Sequence, residues 1–183
     1  MNKYILIILL LFNYSCEKNS YIRKYTLAKP SKSINVDKTS FETINKKFSW
    51  KAPMNWIEVE KTSMRIGSYK IPYSKGYGDL SITNFQGDGG GLEANINRWR
   101  KQINLAPLSL KEISSDAIYG QSSIGPYKLF KIINKEDSSV AFLCSVISSD
   151  NSTVFLKVNI AEEGILEIEK QFMEFMSTFE FLK

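Results

Sequence analysis

The sequence predicts an α+β fold in which a mainly antiparallel sheet is packed by two main helices, as an α/β/α sandwich. Three observations lead to this class. Several short segments alternate apolar and polar residues, which is typical of strands. Residues 92–104 and 163–178 instead repeat apolar residues every three or four positions, as amphipathic helices do. Short polar segments connect the strands of the second half, which favours antiparallel pairing of consecutive strands.

Four strands are predicted in the first half of the domain. Residues 48–59 (FSWKAPMNWIEV) predict a hairpin of two short strands that turns around Pro53. Residues 64–71 (MRIGSYKI) and 79–85 (DLSITNF) alternate in polarity and predict the third and fourth strands, joined by a loop.

Helix 92–104 follows the fourth strand directly. Its apolar residues are spaced by four, three and four positions, so they share one face that we expect to be buried. These residues are Leu92, Ile96, Trp99 and Ile103. The sequence Ser109-Leu-Lys-Glu112 is a capping-box pattern and predicts a second, short helix.

The second half predicts a three-stranded antiparallel meander followed by a helix. Residues 127–133, 140–147 and 153–160 are apolar strand patterns, and the segments between them are short and polar. Helix 163–178 carries a broad apolar stripe suited to covering a sheet. Cys144 lies within the second of these strands, where we expect it to be a small buried hydrophobic residue.

Composition excludes several kinds of chemistry. The chain has 183 residues, 43% of them hydrophobic, with two Cys and no His. Without His there is no Ser-His-Asp or Cys-His nucleophile system and no HExxH zinc site. Two Cys cannot build a disulfide framework or a cysteine-rich metal site, so neither a metal nor a cofactor is expected.

The net charge of +5 does not indicate a nucleic-acid-binding protein. Residues 1–40 hold seven of the 24 Lys and Arg but two of the 19 Asp and Glu, so residues 41–183 are electrically neutral. A nucleic-acid-binding domain carries its basic excess on the folded surface.

The N-terminus predicts an exported lipoprotein. Residues 1–15 have the layout of a signal peptide, because a short basic start precedes nine apolar residues, which is too short a run to span a bilayer. The pair Ser15-Cys16 resembles the bacterial lipobox, in which the Cys is lipidated, although the two residues before it depart from the usual pattern. An ordinary secretory signal with a coincidental Cys is the alternative. Residues 16–40 then form a polar tether, residues 41–183 form one domain, and the lipid anchor places the protein in the bacterial cell envelope, facing the periplasm or the surface.

The most distinctive segment is the glycine-rich run before the first helix. Gly89, Gly90 and Gly91 join a strand to a helix N-terminus, an arrangement that converges backbone N–H groups on an anion. It matches neither the P-loop nor the dinucleotide fingerprint. The alternative, which we favour, is a tight turn at positive φ with Asp88 as the helix N-cap.

The helix after this run offers a polar flank. At 100° per residue, Asn95, Arg98 and Gln102 share that flank, and Arg65 lies just upstream in the sequence. In a chain with four Arg and 20 Lys, Arg at these positions indicates bidentate or stacked contacts. Contacts within the fold are favoured over a ligand clamp. The candidate binding residues are Gly89, Gly90, Gly91, Asn95, Arg98, Gln102 and Arg65.

Two resemblances follow from these motifs. Residues 50–56 (WKAPMNW), 64–65 (MR) and 87–102 (GDGGGLEANINRWRKQ) resemble a family of uncharacterised exported proteins and lipoproteins of environmental bacteria, marked by the pattern GD.GG..AN.NRWR.Q. The resemblance covers residues 48–108 and implies no activity. The layout of the domain also resembles the PsbP-like α/β/α fold, which implies an accessory role.

These observations predict a membrane-tethered, non-enzymatic binding or accessory module with a protein partner. A binder of a small polar or anionic ligand at the glycine-rich loop is the first alternative. A hydrolase or transferase that works with Asp79, Asp88, Glu93 and Arg98 is the second, although no spacing forces two of these carboxylates together.

Overall fold

A seven-stranded antiparallel sheet forms the centre of the computed structural model, which describes residues 48–62 and 64–182. The predicted signal peptide, Cys16 and the tether lie outside the described residues, and the domain boundaries stay predictions. The strands are β1 (Phe48–Ser49), β2 (Ile57–Glu58), β3 (Gly67–Tyr73), β4 (Gly76–Gln86), β5 (Ile118–Ser122), β6 (Gly125–Asn134), β7 (Asp137–Ser149), β8 (Ser152–Ile160) and β9 (Glu180–Phe181). The helices are α1 (Leu92–Gln102), α2 (Leu110–Asp116) and α3 (Glu162–Ser177).

The strand order of the large sheet is β2-β3-β4-β8-β7-β6-β5, and every neighbouring pair is antiparallel. Strands β6, β7 and β8 are the predicted meander, and all three begin before the predicted bounds. The long β4 inserts beside β8, so the second half of the chain pairs with the first half through this one strand. The predicted fold class is confirmed.

Helix α3 packs against one face of the sheet. Four large side chains are buried between this helix and the aliphatic residues of β4, β7 and β8. Three belong to the helix, Phe172, Phe175 and Met176, and the fourth, Phe179, directly follows its C-cap. An edge-on ring contact between Phe175 and Phe179 adds to this packing, and the ring of Trp56 lies 4.7 Å from that of Phe175.

Helices α1 and α2 pack against the opposite face. The core beneath them contains Ile96, Trp99 and Ile103 together with residues of β6, β7 and β8, including the fully buried Cys144. Since β7 and β8 contribute to both cores through alternate residues, these strands are buried on both faces. Together the two cores define three layers, helix on sheet on helix, and confirm the buried faces predicted for both main helices.

The two predicted N-terminal strands and the turn at Pro53 are present, but their pairing with each other as a hairpin is wrong. Strand β1 pairs with the C-terminal β9, Phe48 opposite Phe181, and β2 pairs with β3. Between them, Trp50 stacks on Phe179 at 5.0 Å and donates a hydrogen bond from Nε1 to the hydroxyl of Tyr69. An isolated two-stranded hairpin is only marginally stable, and these long-range contacts stabilise each short strand instead.

The end of α1 and the presence of strand β5 also differ from the sequence prediction. Helix α1 ends at Gln102 because Asn104 adopts a left-handed conformation with φ of 58°. Strand β5 was not predicted, because Ile118–Ser122 carries no alternating pattern and is an edge strand paired with β6.

The capping box of α2 is confirmed: the Ser109 hydroxyl accepts from the Glu112 N–H, and the Glu112 carboxylate accepts from the Ser109 N–H.

Candidate functional site: a basic groove beside α1

An open groove lies between the polar flank of α1 and the β3–β4 half of the sheet. The core under α1 is built from β6, β7 and β8, and Phe85 of β4 packs against it. The small polar residues Ser81 and Thr83 of β4 line an opening beside the helix. Register places Ser81 opposite Lys157 and Thr83 opposite Phe155, so these four side chains share one face. The groove has a volume of about 290 Å³. It is lined by Thr62, Met64, Arg65, Ser81, Thr83, Phe85, Arg98, Trp99, Gln102, Phe155 and Lys157, which together we call the basic groove.

Arg98 projects from the flank of α1 into this groove, as the helical geometry predicts. Its side chain is exposed, and Nη2 donates a 2.6 Å hydrogen bond to Oδ1 of Asn95. In the part of the chain that the structure describes, no carboxylate lies within 4.0 Å of its guanidinium. Arg98 therefore keeps an uncompensated charge and further N–H donors on the groove.

Arg65 lines the opposite side of the groove and is already paired. Its Nη1 and Nη2 donate to the two carboxylate oxygens of Asp79, each at 3.2 Å, and Nη1 also reaches the hydroxyl of the buried Ser68. This bidentate contact is the internal Arg–carboxylate pair that was favoured because Arg is rare in this Lys-rich chain. Because Asp79 neutralises Arg65, Arg65 contributes shape and hydrogen-bond donors to the groove rather than net charge.

Lys157 is a groove residue that the sequence prediction missed. It lies on β8 opposite Cys144, its Nζ is 3.7 Å from the centroid of the Phe142 ring, and it donates to Oε1 of Gln102. Burial lowers the pKa of Lys157, and the nearby Arg98 and Arg65 lower it further. The signal was present in the strand pattern: a Lys on the same face as Phe155 places a cation on a buried sheet face.

The glycine-rich run forms a tight turn, and its N–H groups are used within it. Gly89 N–H donates to the Gln86 carbonyl, Gly90 N–H to Oδ1 of Asp88, and Gly91 N–H to the Asp88 carbonyl. All three glycines have φ between 64° and 89°. This geometry supports the turn interpretation rather than an anion cradle at these N–H groups.

The expected N-cap is wrong. The residue at the N-cap of α1 is Gly91, and no side chain caps it, because the carboxylate of Asp88 is directed back to the N–H of Gly90. Gly90 and Gly91 line a separate depression with Glu93, Asn97 and Lys128 rather than the basic groove. The structure therefore separates the predicted site residues: Arg65, Arg98 and Gln102 meet at the groove, and the glycines do not.

Most of the motif GDGGGLEANINRWRKQ is structural. The buried Asn95 donates from Nδ2 to the carbonyls of Gly89 and Gly91 at 3.0 and 2.7 Å, which holds the glycine turn onto the helix. Asn97 exchanges two 2.8 Å hydrogen bonds with the backbone of Leu108. Arg100 donates from Nε to the carbonyl of Ala106. These contacts account for Asn95, Asn97 and Arg100, whereas Arg98 and Gln102 of the same motif line the groove.

The three carboxylates considered for acid–base chemistry lie in different settings. Asp79 is paired with Arg65, Asp88 belongs to the glycine turn, and Glu93 lines the separate depression. Within residues 48–62 and 64–182, no group of three His, Cys, Asp or Glu side chains is placed to hold a metal ion. Among the described helices none is both long enough and apolar enough to cross a membrane.

Comparison with known proteins gives structural likeness alone. No family model matches the chain, and no curated protein matches it. Cyanobacterial PsbP (CyanoP) from Synechocystis sp. PCC 6803 is similar over 75% of this chain and 88% of its own, with 13% identity and a TM-score of 0.49. LpqN, described as involved in cell envelope biogenesis of Mycobacterium tuberculosis, is similar over 74% of this chain and 83% of its own, with 12% identity and a TM-score of 0.46.

A crystal structure from Bacteroides thetaiotaomicron is similar over 74% of this chain but covers 45% of its own length, with 17% identity and a TM-score of 0.43. At such identities and TM-scores we draw no function from these likenesses. The PsbP-like resemblance has a counterpart among them, whereas the lipoprotein family with the glycine motif has none and stays a prediction.

The lowered pKa of Lys157 predicts a specific pH dependence of stability. Between the folded-state pKa and the ordinary value of 10.5, the unfolded chain holds a proton that the folded chain has released, so the free energy of unfolding of the wild type rises with pH. The groups that act on this charge are Arg65, Asp79, Arg98 and Cys144. Urea unfolding of the wild type and of Lys157→Met across this window should show the wild type gaining stability relative to the variant. A difference that stays flat or falls with pH would contradict the buried-cation interpretation.

Proposed function

We propose that this protein is a lipid-anchored binding module of the bacterial cell envelope, which binds an anionic group in the basic groove and is not an enzyme. The observation that carries the proposal is the charge of the groove. Three cations, Arg65, Arg98 and Lys157, line one opening of about 290 Å³, and none of the residues lining it is acidic. An opening lined by several polar groups and by aromatic side chains has the composition of a small-ligand site.

The electrostatics of the groove support an anion as its occupant. Burial lowers the pKa of Lys157, and the nearby Arg98 and Arg65 lower it further, so the charged ammonium is destabilised in the empty groove. A bound anion would offset this cost and form charge-assisted hydrogen bonds with Arg98 and Lys157. An acidic side chain of a partner protein offers the same chemistry, and a partner that docks through this groove would compete with a small anion.

The envelope assignment rests on the N-terminal sequence and on the neutral domain. The signal layout and Ser15-Cys16 support export and lipidation, and the basic residues of the tether favour a position close to anionic lipid head groups. Tethering would hold the groove near the membrane surface, where an envelope ligand or partner is encountered.

Cys16→Ala tests the anchor. We expect this variant to lose lipidation, so that it is released from the membrane fraction or accumulates as the unprocessed precursor. Fractionation and the apparent mass of the mature chain measure both effects, and Cys144→Ala is the matched control because Cys144 is buried in the core. Unchanged membrane partitioning together with the same processed mass would overturn the lipoprotein assignment.

Arg98→Ala and Arg98→Lys test the groove. Because Arg98 is exposed and makes one hydrogen bond, we expect both variants to lose about 1 kcal/mol of stability or less. Binding of inorganic phosphate, followed by the NMR shift of the Trp99 indole N–H at constant ionic strength, should weaken about tenfold in Arg98→Ala and less in Arg98→Lys, because Lys keeps the charge.

Arg100→Ala is the control for this measurement. Arg100 lies on the same helix, but its contact with the Ala106 carbonyl is on the other flank, so phosphate binding should not change. A large and equal loss of stability in both Arg98 variants, with phosphate binding intact, would make Arg98 a structural residue and remove the groove as the site.

A further inference from the structure

The net charge of the basic groove limits what can neutralise it. Asp79 already compensates Arg65 through two hydrogen bonds of 3.2 Å. Arg98 and Lys157 have no carboxylate within 4.0 Å among the described residues. The groove therefore presents two unneutralised positive charges, which a doubly charged anion matches and a single carboxylate does not.

The polar groups between these charges suit a tetrahedral anion. Arg98 offers guanidinium N–H donors, Lys157 offers an ammonium, and the hydroxyls of Ser81 and Thr83 line the floor between the helix and β4. The Ser81 hydroxyl lies 3.3 Å from the carbonyl of Lys157, a long contact that leaves this hydroxyl easily redirected. Guanidinium, ammonium and hydroxyl donors that line one opening are the groups that proteins use for phosphate oxygens.

The remaining walls of the groove are apolar. The ring of Phe155 makes edge-on contacts there with two other aromatic rings. Its centroid lies 5.8 Å from that of Phe85 and 5.9 Å from that of Trp99. Met64 borders the opening with 59% of its surface exposed, and its flexible thioether suits an adaptable contact. A ligand that extends from the charged end would bury its own apolar surface against these side chains.

We propose that the basic groove binds a phosphate monoester with a short apolar body, an inference that rests on the proposed anion-binding function. The dianionic phosphate lies against Arg98, Lys157 and the β4 hydroxyls. The apolar body, about the size of one aromatic ring, lies against Met64 and Phe85. A volume of about 290 Å³ is at the lower end for ligand pockets, which suits a ligand of this small size.

Four probes of different charge and apolar content test this assignment on the full-length chain in detergent. They are inorganic phosphate, phenyl phosphate, benzoate and benzyl alcohol, titrated at constant ionic strength and followed by the Trp99 indole N–H. We expect phenyl phosphate to bind at least tenfold more tightly than inorganic phosphate and benzoate, and benzyl alcohol to show no binding. Dihexanoyl phosphatidate identifies the source: tighter binding than phenyl phosphate assigns a lipid head group, and weaker binding assigns a soluble monoester.

Two substitutions separate the charged part of the groove from its apolar part. Lys157→Met should weaken inorganic phosphate and phenyl phosphate alike, by about tenfold. Met64→Ala should weaken phenyl phosphate and leave inorganic phosphate unchanged, and the fully exposed Met54→Ala should affect neither.

The outcomes distinguish the two proposals. Equal affinity for phosphate and phenyl phosphate, or equal affinity for benzoate and phenyl phosphate, would overturn the monoester assignment and leave anion binding in place. Failure of every anionic probe to shift the indole resonance would overturn both proposals.

Discussion

Trp99→Ala should lower the free energy of unfolding by about 3–5 kcal/mol, the range for removal of a large buried aromatic side chain. Trp99 is 5% exposed, lies at the centre of the core between α1 and the sheet, and meets Phe155 edge-on at 5.9 Å. Truncation to Ala leaves a cavity that the three-layer packing around it cannot fill. Urea unfolding of the variant and the wild type measures the loss.

Leu166→Ala is the matched control for this prediction. Leu166 is 74% exposed on α3, so its truncation should change stability by less than about 0.5 kcal/mol. A loss below about 1 kcal/mol in Trp99→Ala would mean that α1 presents a different face to the sheet.

Gly89→Ala should destabilise the protein by about 2–5 kcal/mol, through two effects that add. The backbone at Gly89 has φ of 64°, a left-handed conformation that costs an L-residue about 1–2 kcal/mol. A Cβ at this position would also lie 2.5 Å from Cε2 of Phe155, and such overpacking costs about 1–3 kcal/mol more. Thermal or urea unfolding measures the sum.

Gly87→Ala isolates the backbone contribution. Gly87 has nearly the same φ, 62°, but a Cβ there meets no atom within 4 Å, so the expected loss is about 1–2 kcal/mol. The difference between the two variants measures how closely the glycine turn packs on Phe155. Equal losses would show that the turn is not held against the sheet as the structure has it.

The helices and the meander could be predicted because their signals are local. Spacing of three and four residues identifies the buried face of residues 92–104, where Trp99 is indeed buried. The capping box at Ser109 is a contact over three residues and is formed as predicted. Strands β6, β7 and β8 follow from alternation and from the short polar segments between them.

The elements and pairings that the sequence did not predict depend on distant partners. Strand β1 was predicted, but its partner β9 was not, because β9 lies more than 130 residues later and is two residues long. Strand β5 has an irregular pattern and is defined by its hydrogen bonds to β6. Neither carries enough local signal, since such short or irregular segments are not stable without their partner strand.

The candidate site divides in the same way. Arg98 and Gln102 could be placed together because helix geometry alone puts them on one flank. Arg65 was identified from composition, but its ion pair with Asp79 needs β3 and β4 to be neighbours. Lys157 was missed because its role depends on β8 lying beside β4 and beneath α1.

By itself, then, the amino-acid sequence determined the α+β class, the two amphipathic helices, the antiparallel meander and the polar flank that ends at Gln102. The reason is that each depends on residues a few positions apart, whose geometry is set by the helical or strand period. The tertiary structure alone decided that Gly90 and Gly91 line a separate depression and that Lys157 joins Arg98 in the groove. These arrangements follow from the order of strands in the sheet, which brings together residues from distant parts of the chain.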